Sequence, residues 1–200
     1  MIFTVGGMTR GGIAFILSAL LAGCAVLPAT SSPSAPVVRP AQSASLDFSF
    51  NGRIAITRRE QKQSAGLHWV HSSQKDALSL LAPLGQTVAR IERDAMRATL
   101  QQQGKRYEAP DVEALMMQVL GWHLPLGGLN HWVLGLPSAT EIELQERDAQ
   151  GRLLLLRQEG WEIRYLRYTD ESAASLPVKL ELKREDLSVI LIIDEWEAVS

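Results

Sequence analysis

The sequence predicts a mostly β fold: one large antiparallel sheet of roughly ten or eleven strands, curled, with helices over its concave face. Three observations predict it. Apolar and polar residues alternate with period two through most of 46–101 and 142–196. Short polar segments separate the alternating runs, as in an antiparallel meander. A single stretch, 110–134, replaces the alternation with helical spacing.

The elements follow in chain order. A lone Arg10 precedes an apolar run from Gly11 to Ala22 that ends Leu21-Ala22-Gly23-Cys24. The run is long enough to enter a translocon and too short to stay as a spanning helix. Small residues before a cysteine admit a peptidase, and the thiol accepts lipid. Residues 1–23 therefore read as a lipoprotein signal peptide, with Met1 or Met8 as its start. Cys24, the only cysteine of the chain, is the expected lipidated residue, because it has no disulfide partner. A triacylated cysteine supplies the two or more chains that stable anchoring needs. Ala25 follows it rather than Asp, and the resemblance of this segment to bacterial lipoprotein signals implies the outer membrane as destination. Residues 24–45 are rich in Pro, Ser and Ala and include Pro28, Pro33, Pro36 and Pro40. They read as a tether with a reach of roughly 65–70 Å. Residues 46–200 form the expected folded domain.

In the first strand, Phe48, Phe50, Ile54 and Ile56 share one face, while Asp47, Ser49, Asn51 and Arg53 share the other. Arg58 to Gln63 reads as a turn region. A second strand carries Ala65, Leu67 and Trp69 inward. Ala77–Ala82, Thr87–Arg93 and Ala95–Gln101 are short strands. Val112, Leu115, Met116, Val119 and Leu120 then recur at helical spacing, with Asp111 and Glu113 at the amino end and Gly121 past the last turn. A shorter helix is expected over Leu126–Leu134. Strands resume at Ile142 and Leu144, 153–158, 161–165, 178–182 and 187–196. Asp148–Gly151 and Arg184–Asp186 are turn material.

Chemistry is sparse by comparison. Loss of Arg10 with the signal takes the formal net charge from −2 to −3, too mild for a nucleic-acid partner. The histidines are His68, His71, His123 and His131. No two have the spacing of a metal pair on one face, and a surface or capping role is expected for each. There is no phosphate loop and no nucleophile elbow. The sequence therefore suggests neither an enzyme, a metal nor a cofactor. The five tryptophans, Trp69, Trp122, Trp132, Trp161 and Trp196, suit a packed core or the wall of an apolar space.

Pro83-Leu84-Gly85 stands out. Ala82 to Gly85 suits a type I turn, with Pro83 second and Gly85 fourth. Leu84 then lies at the corner, where a large aliphatic side chain is unusual.

These residues carry a resemblance. Gly52-Arg53-Ile54-Ala55, Pro83-Leu84-Gly85, Leu120-Gly121-Trp122 with Leu124-Pro125-Leu126, Gly135-Leu136-Pro137, Gly160-Trp161 and Trp196 occur in order behind the lipidation signal. Together they make the chain resemble the LolB family, outer-membrane receptors that take lipoproteins from a periplasmic carrier. The resemblance implies an open antiparallel half-barrel with a helical lid over an apolar cavity. It implies acylated lipoproteins as cargo, a periplasmic carrier as partner, outer-membrane lipid as destination, and a monomer. Phe48, Phe50, Ile54, Ile56, Leu67 and Trp69 on the strands, with Leu115, Met116, Val119 and Trp132 on the helices, are the expected acyl-chain wall. Pro83, Leu84 and Gly85 are the expected membrane-insertion loop. Arg53, Arg90 and Arg93 are candidates for charge facing the carrier. Two rival readings need the same anchor: a lipidated module for another amphiphile, and a scaffold lipoprotein of an outer-membrane machine with a solid core.

Overall fold

The computed structural model describes residues 47–120 and 123–198. The signal segment, Cys24, the tether, Gly121 and Trp122 lie outside the described residues. The strands are β1 (Phe48–Arg58), β2 (Gln61–His71), β3 (Asp76–Leu81), β4 (Thr87–Arg93), β5 (Ala98–Gln102), β6 (Lys105–Ala109), β7 (Ile142–Arg147), β8 (Leu153–Gln158), β9 (Trp161–Tyr168), β10 (Pro177–Arg184) and β11 (Leu187–Glu197). Helices α1 (Val112–Leu120) and α2 (Leu126–Trp132) fall between β6 and β7.

All eleven described strands form one antiparallel sheet in the order β6-β5-β4-β3-β2-β1-β11-β10-β9-β8-β7. The first and last strands pair in its middle. Two meandering arms run outward from that pair and end at the edges β6 and β7. The link between the two edges carries both helices, so it crosses the face of the sheet. Open sheets of this size curl, and the helices cover the concave side.

Alternation explains which residues face inward. Leu67, Trp69 and His71 are buried on β2; Trp161, Ile163 and Tyr165 on β9; Leu187, Val189, Leu191 and Ile193 on β11. Two features differ from the sequence expectation. β2 begins at Gln61, inside the segment read as a turn, because the hairpin pairs Arg58 with Gln61 and leaves a two-residue connection. β6 was not expected at all. Lys105, Arg106 and Glu108 are exposed there, while Tyr107 and Ala109 pack on the core. Charges on an edge strand oppose pairing with other chains, and here they mask the period-two signal.

The register of β1 against β11 shifts between Asn51 and Gly52, leaving Asp194 as the extra residue. A Cβ on Gly52 would lie 2.3 Å from the Ile192 carbonyl oxygen. Only glycine permits that approach. The bulge turns Asp194 outward, where its carboxylate accepts two bonds from Arg53, at 3.0 and 2.7 Å.

The helices are fixed at their ends. The Asp111 carboxylate accepts the Ala114 N–H at 2.7 Å, a side-chain cap for α1. Glu113 accepts the Leu126 N–H at 2.9 Å and so joins α1 to the start of α2.

Candidate functional site

Under the helices lies an apolar cavity of about 240 Å³. Its floor comes from one half of the sheet. Ile54 and Ile56 on β1, Ala65, Leu67 and Trp69 on β2, and Leu78 and Leu80 on β3 line it, with Ala89, Ile91 and Leu100 from β4 and β5. Leu182, Val189 and Leu191 close one side. The roof is Val112 and Met116 of α1, with Leu124, Leu126 and Leu129 around α2. Gln63, Ser64, Val88 and Gln102 also line it, at the edge of the sheet that carries the β1–β2, β3–β4 and β5–β6 turns. Gln63, Ser64 and Val88 are exposed, so the cavity reaches solvent at that rim.

The structure divides the expected wall residues. Ile54, Ile56, Leu67, Trp69 and Met116 line the cavity. Phe48, Phe50, Leu115, Val119 and Trp132 are not among the lining residues; they belong to the packed core beside it. Phe48 and Phe50 face inward as expected. Their rings, however, pack with Trp69 and Trp196 at centroid separations of 4.9–6.0 Å and fill that end of the concave face. The Trp132 indole donates to Gln158 at 3.0 Å, on the other arm of the sheet. Leu115 is buried in α1, and Val119 is partly buried against the core. The expected wall lacks the lining from β3 to β5, which the same alternation marks, and Leu126 and Leu129 of α2, which share a helical face. Two of the inward lining residues, Ala65 and Ala89, are small.

The closed end holds a buried polar cluster. His71 and Asp76 are each 2% exposed. The Asp76 carboxylate accepts the Trp69 indole N–H at 2.9 Å, the His71 Nδ1–H at 2.6 Å and the Arg93 guanidinium. Burial pushes the Asp76 pKa up. Hydrogen bonds from His71 and Trp69, and the charges of His71 and Arg93, outweigh it and hold the carboxyl below its ordinary range. His71 is thus neither a surface nor a capping residue: a carboxylate partner on the neighbouring strand makes its burial tolerable. Its Nε2 faces the Asn130 amide of α2 at 3.4 Å. The three candidate carrier-facing arginines are all ion-paired, Arg53 to Asp194, Arg90 to Glu92 and Arg93 to Asp76.

At the open rim, the Gly85 N–H donates to the Ala82 carbonyl at 2.8 Å, and Gly85 has φ +82°. Pro83, Leu84 and Gly85 form a three-residue hairpin loop of the kind that needs a left-handed residue at its third position. Leu84 is 85% exposed at its corner. The register shifts between Leu80 and Leu81, leaving Val88 as an extra residue in β4. The bulge aims Val88 into the cavity mouth, next to the loop.

A curled antiparallel sheet, roofed by helices over an apolar cavity with one open rim, defines a protein that holds apolar chains. Comparison with known proteins agrees. A solved LolA superfamily protein from Nitrosomonas europaea shares the fold, with a TM-score of 0.51, 6% identity, and coverage of 77% of this chain and 86% of that one. The family model for "Outer membrane lipoprotein LolB" matches residues 46–196. Curated outer-membrane lipoproteins LolB are similar along most of the chain. The one from Azoarcus sp. is 37% identical over 188 residues, 92% of this chain and 93% of its own. The one from Nitrosomonas europaea is 36% identical over 165 residues, 81% and 78% of the two chains. The chain belongs to the LolB family of outer-membrane lipoproteins.

Proposed function

We propose that this protein receives acylated lipoproteins from a periplasmic carrier, shelters their acyl chains in the cavity, and releases them into the outer membrane, to which Cys24 anchors it. The observation that carries this reading is the pairing of an apolar cavity with an exposed leucine on the same rim. A protein that only stored a ligand would have no use for an apolar loop tip beside its mouth. The work is binding and transfer, driven by relative affinity for the chains rather than by a catalysed reaction. Release runs downhill because the methylenes that the small cavity leaves in water gain about 0.8 kcal/mol each on reaching hydrocarbon, and a bilayer accommodates whole chains.

The cavity is smaller than the roughly 300–1,000 Å³ of ordinary small-molecule sites. A cargo with several acyl chains therefore needs the roof to move. α2 is held to the far arm by Trp132–Gln158 and by the Tyr165 hydroxyl on the Trp132 carbonyl at 3.0 Å. On the cavity side, the long Asn130–His71 contact holds it. The asymmetry favours a swing that keeps the β8–β9 attachment and parts from β2.

The test is a two-stage transfer. Carrier loaded with labelled lipoprotein is mixed with this protein lacking residues 1–45, then with liposomes. Cargo should move to this protein and then to lipid. Cargo that stays on the carrier would refute the reading.

A further inference from the structure

Apart from the buried His71–Asp76–Arg93 cluster at the closed end, the inward face of the cavity half is apolar by alternation, with two exceptions at the open edge. β2 presents Trp69, Leu67 and Ala65 inward and then Gln63. β5 presents Ala98 and Leu100 inward and then Gln102. Both glutamines line the cavity, and Ser64 lines it beside Gln63. Gln63 pairs in register with Ile56, and Gln102 with Ala89. An apolar side chain would continue the pattern at either place, so the amides interrupt it where the cavity meets solvent.

No Asp, Glu, Lys or Arg is among the residues that line the cavity. Each glutamine instead offers a carbonyl acceptor and two N–H donors. Among the described residues, neither glutamine side chain has a hydrogen-bond partner, so both are available to a ligand. β2 and β5 are three strand spacings apart, roughly 14 Å along a flat sheet and less across a curled one. The two amides therefore flank the mouth from two sides.

We propose that Gln63 and Gln102 form a linker-recognition subsite. Resting on the cargo reading above, they bind the ester and amide carbonyls that join acyl chains to the glyceryl-cysteine of a lipoprotein, while the chains lie on the apolar floor. A ligand with this neutral, carbonyl-rich junction meets donors at the depth where its polarity begins. A free fatty acid places a carboxylate there, with no cation among the lining residues. The subsite distinguishes lipidated cysteine from other amphiphiles with similar chains.

The experiment is competition against an apolar fluorescent probe bound to the domain. The competitors are a synthetic dipalmitoyl-glyceryl-cysteinyl peptide and its dialkyl ether analogue, which lacks the ester carbonyls. The wild-type protein should prefer the ester by roughly tenfold, the value of one or two net hydrogen bonds. In Gln63→Leu/Gln102→Leu that ratio should fall to about one. Gln63→Ala/Gln102→Ala serves as a second version in case leucines close the mouth. A wild-type ratio of one, or a ratio that survives both double substitutions, overturns the subsite and leaves the cavity reading intact. A wild-type domain that takes up no probe overturns the cavity reading and this inference with it.

Discussion

Leu84→Glu separates the two halves of the proposed function. Leu84 is 85% exposed, so its apolar surface is free to meet another phase. Full burial of a leucine stabilises by about 1.5–3 kcal/mol, of which roughly 1.3–2.5 kcal/mol remains available here. Removing that contact should slow delivery to lipid by roughly tenfold to seventyfold. The glutamate carboxylate adds to the loss, because hydrocarbon disfavours it strongly. Folding should change by about 0.5 kcal/mol or less, as at other exposed sites. The Ala82–Gly85 bond, Pro83 and Gly85 are untouched, and Leu84 does not line the cavity. The assay follows labelled lipoprotein from carrier to this protein and then to liposomes, with denaturant unfolding in parallel. Leu84→Met should behave as wild type. Normal delivery by Leu84→Glu would refute the reasoning and reduce the loop to a turn; failure to accept cargo would place Leu84 in the wrong step.

Asp76→Asn should cost about 3 kcal/mol in urea unfolding, since it strips the counter-charge from the buried cluster. Because the folded carboxyl titrates below its unfolded value of about 3.9, the wild-type contribution should be present above roughly pH 4–5 and vanish as pH falls through the folded value. The variant should lack that acid-side slope. Gly52→Ala should cost about 2–3 kcal/mol in the same assay, because the Cβ meets the Ile192 carbonyl oxygen at 2.3 Å; an unchanged midpoint would show that β11 yields freely. Tether length should also matter. β1 starts at the edge opposite the Leu84 loop and spans 11 residues, roughly 36 Å. Deleting about 15 residues between Cys24 and Ser45 leaves a reach of roughly 25 Å. The shortened protein should fold and accept cargo but deliver poorly to the membrane that anchors it; normal delivery would mean that Leu84 acts without reaching that membrane.

The sheet was legible because its inward residues are large and regularly spaced. Thr87–Arg93 and Leu153–Gln158 carry the bounds that the sequence suggests. β6 was hidden by Lys105, Arg106 and Glu108, which an edge strand displays outward. The cavity was half legible for a different reason. Alternation tells which face a residue takes, not whether its neighbours leave room. Phe48 and Phe50 share a face with Ile54 and Ile56, yet aromatic neighbours fill the space around them. The burial of His71 was illegible because its partners, Asp76 and Asn130, lie 5 and 59 residues away. Leu84 was legible because a proline and a glycine flank it, and their turn chemistry places it at a corner.

The proposed function requires the acyl chains of a lipoprotein to occupy the space beneath α1 and α2. A photoreactive residue at Leu80 or Met116, both in the lining, tests it most directly, with Arg53 and Arg90 on the exposed face as comparison sites. After transfer from loaded carrier and irradiation, mass spectrometry should find the acyl chains of the cargo joined to positions 80 and 116 and absent from positions 53 and 90. Acyl adducts on the exposed face, with none in the cavity, would contradict the account.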